Sequence, residues 1–83
     1  MDNQYKKEIF TQALEARIRE VTEYQVNIDN FRLAIERIGD DADLQDFKQQ
    51  LQGLLASSVT EQKKSQIMLD VVRSQLEQPC STP

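Results

Sequence analysis

Eighty-three residues, with 10 Lys or Arg against 14 Asp or Glu, make at most one domain with a net charge of −4. There is no His and a single Cys, Cys80, which excludes an intrachain disulfide and a Cys/His zinc site; the scattering of cations among carboxylates disfavours nucleic-acid binding. A chain this short builds a core worth only about 3–5 kcal/mol, so further stabilisation is expected from self-association or a partner.

Ala, Glu, Lys, Leu, Arg and Gln dominate and Gly and Pro contribute two residues each, a mixture that favours helix. The fold class is therefore all-α. No apolar run approaches the roughly 18–20 residues that cross a bilayer, and Met-Asp-Asn-Gln-Tyr-Lys-Lys lacks the apolar stretch of a secretory signal; a cytoplasmic location without membrane contact is the expectation.

The first helix is predicted over residues 3–38, with Asp2 or Asn3 accepting bonds from the free amides of its first turn. Phe10, Leu14, Arg17, Val21, Tyr24, Ile28, Phe31, Ile35 and Ile38 follow at alternating spacings of four and three, which lays them along one seam of a helix. Only Arg17 interrupts this seam. Ala13, Ile18 and Ala34 flank it and widen it toward the stripe of a bundle helix. On the opposite side, Val26 and Leu33 form a smaller second patch, of a size that surfaces ordinarily carry.

Gly39 supplies the left-handed conformation that closes a helix, and the turn spans residues 39–43. Asp41 or Asp43 can cap the second helix, and Asp46 falls in its first turn, where the helix dipole favours a carboxylate. The cluster Asp40, Asp41, Asp43 and Asp46 lacks the alternating ligands, central glycine and bidentate Glu of a calcium loop, so capping explains it and no metal or other cofactor is expected.

The second helix is predicted over about residues 42–77, ahead of Pro79, with residues 79–83 as a disordered tail. Its central column is Leu44, Leu51, Ser58, Ser65 and Val72, flanked by Leu54, Leu55, Met68, Leu69 and Leu76. The stretch from Ser57 to Gln66 is polar, and Gly53 beside it leaves room for a bend. Folded at the turn into a long antiparallel, coiled-coil-like hairpin, the chain pairs residues whose numbers sum to about 82. Ile38 then faces Leu44, Ile35 faces Phe47, Leu14 faces Met68, Tyr24 faces Ser58, and Arg17 falls opposite Ser65 near Glu61. The polar breaks of the two helices thereby coincide, which would penalise slipped pairings.

Two rods of this length touching along one seam leave apolar surface wet, so a homodimer completing a four-helix bundle is expected, together with binding of another protein. Carboxylate pairs occur as on any charged helix, but no phosphate loop or nucleophile elbow is present, and the chain is read as a non-enzymatic adaptor, assembly chaperone or inhibitor. The alternative is a small helical-bundle nucleic-acid-binding regulator. Two helices joined by Asp41-Ala42-Asp43 resemble in bare architecture the small plasmid RNA-binding hairpin dimers, and Lys6, Lys7, Lys63 and Lys64 are the cations such a reading would use.

Overall fold

A computed structural model describes residues 3–77 and contains two long α-helices, with no strand among the described residues. Helix α1 runs Asn3–Ile38 and α2 runs Gln45–Glu77, lying antiparallel in a rod of 64 × 18 × 13 Å. The Asp2 cap of α1 and the tail containing Pro79 and Cys80 lie outside the described residues.

The turn is built by its own backbone polar groups. Gly39 takes φ +53°, the left-handed conformation, after its amide has donated to the Ile35 carbonyl at 3.2 Å. Asp41 is extended and its carboxylate accepts from the Asp43 amide at 3.0 Å, capping a short 3-10 turn over Ala42–Leu44 that precedes α2. The second helix therefore enters through a 3-10 turn and becomes α-helical at Gln45. Gln45 and Lys48 then reach back across the turn: the Lys48 ammonium donates to the Gly39 carbonyl at 2.8 Å, and the Gln45 amide to the Asp41 carbonyl at 2.8 Å. A cation placed here opposes the negative end of the α1 dipole, beside Arg37 in the last turn of that helix.

Lys48 is half-buried on the inner side of α2. Its four-carbon stem covers apolar surface while the ammonium finds an oxygen. With about 100° of rotation per residue, Lys48 turned inward carries Phe47 away from the seam. Thus α2 presents Leu51, Leu55, Ser58, Gln62, Ser65, Leu69, Val72 and Leu76 toward α1, all buried or half-buried. Leu44, Phe47 and Met68, expected against α1, are instead exposed by 40–48%, and of Leu54 or Leu55, either of which could face Ile28, Leu55 turns inward and Leu54 is 51% exposed. Ile18, expected to widen the α1 seam, is likewise exposed, whereas Ala13 and Ala34 are half-buried.

The apolar core is thin. Among the described residues the buried apolar side chains are Ile28, Ile38, Leu51 and Leu69, and Ile28, 2% exposed, is the most enclosed. The second glycine shapes nothing: α2 continues unbroken through Gly53, and a Cβ placed there would meet no atom within 4 Å.

Two glycine substitutions should move stability in opposite directions. Gly53→Ala should raise the unfolding free energy by up to about 1 kcal/mol, since it adds helix propensity without a clash. Gly39→Ala should lower it by about 1–2 kcal/mol through its left-handed backbone. Ile28→Ala should cost about 2–5 kcal/mol in urea denaturation, and a loss below ~1 kcal/mol would show that Ile28 is not the centre of the core.

Candidate interaction faces

The residues expected on the α1 seam all lie on its covered side. Ile28 and Ile38 are buried, and Phe10, Leu14, Arg17, Val21, Tyr24, Phe31 and Ile35 are half-buried. The three aromatic members therefore keep part of their surface in water. Val26 and Leu33, by contrast, are 52% and 56% exposed on the outer side of α1.

At mid-length the seam turns polar and is joined by hydrogen bonds. Arg17 Nη1 donates to both carboxylate oxygens of Glu20, at 3.0 and 3.2 Å. The Ser65 hydroxyl donates to Glu20 Oε1 at 3.2 Å, so the link between Arg17 and Ser65 passes through Glu20. Ser65 thus bonds Glu20 rather than Arg17 itself, in a register that sets Gln62 against the Val21 backbone, close to the pairing expected. Glu61 is not part of this layer; it pairs with Lys64 on its own helix at 3.1 Å.

Gln62 supplies the second tie. Its amide donates to the Val21 carbonyl at 3.1 Å and to Gln25 Oε1 at 2.9 Å, and the Gln25 amide donates in turn to Asp29 at 2.9 Å. The bonds that cross the interface in this stretch come from Gln62 and Ser65 rather than from Tyr24 and Ser58. Sequence reading passed over Gln62 because a polar residue between Leu55 and Leu69 interrupts an otherwise apolar column. Its sevenfold spacing with Lys48, Leu55, Leu69 and Leu76 was the available signal. No buried side-chain polar atom lacks a partner among the described residues.

The individual ion pairs contribute little. Arg17 and Glu20 keep 36% and 42% of their side-chain surface exposed, where solvent screening holds a pair to a few tenths of a kcal/mol. Their importance lies in placement: a slipped register would leave the Arg17 head and the Gln62 amide against hydrocarbon.

The surface depressions are shallow and polar. One is lined by Gln45, Asp46, Lys48, Gln49 and Gln52, the other by Lys7, Glu8, Thr11, Gln12 and Glu15 among others. Each lies on a single helix. Among the described residues no three His, Cys, Asp or Glu side chains converge as metal ligands would, and no helix is long and apolar enough to cross a membrane.

Replacing the middle of the seam should separate stability from register. The double variant Arg17→Leu/Gln62→Leu is expected to unfold at higher urea, by about 1 kcal/mol of added apolar burial, while sampling more than one pairing of the helices. Spin labels on the two helices would read this as a broadened distance distribution; a single narrow distance, as sharp as in the parent chain, would deny the polar layer its role in register.

No family model, curated protein or solved structure matches the chain.

Proposed function

We propose that this chain is a non-enzymatic protein–protein interaction module that works through its helical faces as an adaptor, assembly chaperone or inhibitor, and that it self-associates into a four-helix bundle. The observation that carries this reading is the apolar surface left uncovered by the hairpin: Phe47, Leu54 and Met68 stand 43–51% exposed beside the only partly covered Phe10, Tyr24 and Phe31. Isolated apolar residues are normal on a surface, but aromatic and aliphatic side chains aligned at helical spacing form the kind of stripe that a facing helix covers.

Area supports the same reading. The chain exposes 6361 Å², whereas a compact monomer of 9.6 kDa would expose about 5,100 Å². The difference exceeds the roughly 800 Å² that each partner contributes to a standard interface. With its seam and one lateral face in a bundle, the protein would still offer Val26 and Leu33 on the outer side of α1 to another protein.

Sedimentation equilibrium at micromolar concentration should give a mass of two chains or more, and a stable, folded monomer throughout would remove the bundle. Titration with mixed RNA and DNA across a range of salt should show only weak binding. Tight binding that falls steeply with salt would replace the adaptor reading with nucleic-acid recognition.

A further inference from the structure

The two lateral faces of the hairpin differ in chemistry. Glu20 meets Ser65 on one of them, and Gln25 meets Gln62 on the other. Residues three, four or seven positions away along the same helix share a face with each of these markers. On the Gln25 side this places Ile18 and Arg32 on α1 and Gln45, Gln52, Val59, Gln66 and Arg73 on α2, a mainly polar surface in which the apolar residues stand singly.

On the Glu20 side α1 carries Ala13, Asn27 and Ala34 at sevenfold spacings from Glu20, the two alanines each three residues beyond a partly exposed phenylalanine, Phe10 and Phe31. The matching column on α2 is Phe47, Leu54, Glu61 and Met68. This face is therefore apolar at both ends, with large residues on α2 beside small ones on α1. It is polar in the middle, where Arg17, Glu20, Glu61 and Ser65 lie close to the midpoints of Asn3–Ile38 and Gln45–Glu77.

Such a layout matches itself. A second copy related by a twofold axis through the middle would set polar belt on polar belt and apolar end on apolar end, which is the self-complementarity an isologous interface requires. Charge selects between the two ways of doing so. The turn end carries Asp40, Asp41, Asp43 and Asp46 against Arg37 and Lys48, whereas the open end balances Lys6, Lys7 and Arg73 with Glu8, Asp70 and Glu77. Turns laid side by side would gather eight carboxylates, whereas inverting one copy sets each acidic turn against the charge-balanced end of its mate, where Lys6 and Lys7 stand. We propose that the Glu20 face binds a second copy of this chain, inverted end for end, with the twofold axis passing through the Arg17–Glu20–Ser65 belt. The inference rests on the self-association proposed above and adds its face and direction.

A spin label at Asp43→Cys, in a Cys80→Ser background, tests the direction. From the midpoint of α2 to its start at the standard rise, twice over, the two labels in an inverted dimer should stand about 50 Å apart. A separation below ~25 Å would mean that the turns lie together and would overturn the proposal. Phe47→Glu tests the face: it should weaken the dimer about 100-fold, while Ile67→Glu, on the outward side of α2, should change it less than threefold. The reverse ranking would place the interface elsewhere. Phe47 is half-exposed in the hairpin, so circular dichroism should show helix retained, and the label distance answers independently if it does not. A parent chain that sediments as a monomer throughout would instead remove the self-association on which this inference stands.

Discussion

The Lys48 ammonium on the Gly39 carbonyl goes with one rotation of α2 about its own axis, and the distribution of apolar surface follows from that rotation. The carbonyls at the end of α1 need donors, and the short turn offers few. Gln45 supplies one to Gly39 at 3.3 Å from the exposed side, and Lys48 another at 2.8 Å while pointing inward. With Lys48 inward, Leu51 and Leu55 follow on the inside while Phe47 and Leu54, each one residue earlier in the heptad, are carried to the side. A contact whose immediate purpose is local, the closing of a helix end, thereby goes with the choice of which apolar residues become core and which become surface. The 3-10 turn at Ala42–Leu44 works in the same direction, since it delays the start of α2 and leaves Leu44 40% exposed.

The hairpin divides its length between adhesion and alignment. Apolar contacts near the turn and near the open end are nearly indifferent to a slip of one heptad, because leucine, isoleucine and valine recur at that spacing. The layer of Arg17, Glu20, Gln62 and Ser65 is not indifferent. Gln62 and Ser65 bond across to α1, so their partners' positions depend on the register, and the Gln62 amide is fixed both to a side chain and to a backbone carbonyl of α1. Stability forgone at mid-length is exchanged for a single pairing of the helices, and the faces flanking the seam inherit a fixed layout from it.

Much of this was legible in the sequence, and the remainder failed for identifiable reasons. The all-α hairpin, the glycine that ends α1 and the seam from Phe10 to Ile38 follow from spacing alone, because on α1 the apolar residues occupy the seam with a single interruption. On α2 the spacing is ambiguous. Leu54 and Leu55, or Met68 and Leu69, are adjacent pairs of which only one member can face α1, and hydropathy ranks them equally. Lys48 and Gln62 decide between them, yet both read as surface residues until the carbonyls that they satisfy are known. The Arg17 layer was visible as a coincidence of polar breaks, but its partner Glu20 was not: a glutamate flanking the seam is indistinguishable in sequence from the solvated glutamates at Glu15 and Glu23.

The thinness of the core gives the exposed face its meaning. A rod whose apolar interior reduces to four buried side chains has little stability to spare, and half-covered aromatic rings contribute in proportion to the water they lose. Covering Phe10, Phe31 and Phe47 would add to folding and to association through the same contacts, so the two processes become linked by mass action. In such a protein, dilution would loosen the hairpin, and any helix able to occupy the face would stabilise it. The apolar ends would supply adhesion to a facing helix, and the central belt would discriminate by charge, since a partner with hydrocarbon at mid-length would strip water from the Arg17–Glu20 and Glu61–Lys64 pairs. A binding surface of this design selects less by the shape of a pocket than by the sequence of apolar, polar and apolar zones that a partner must match along its whole length.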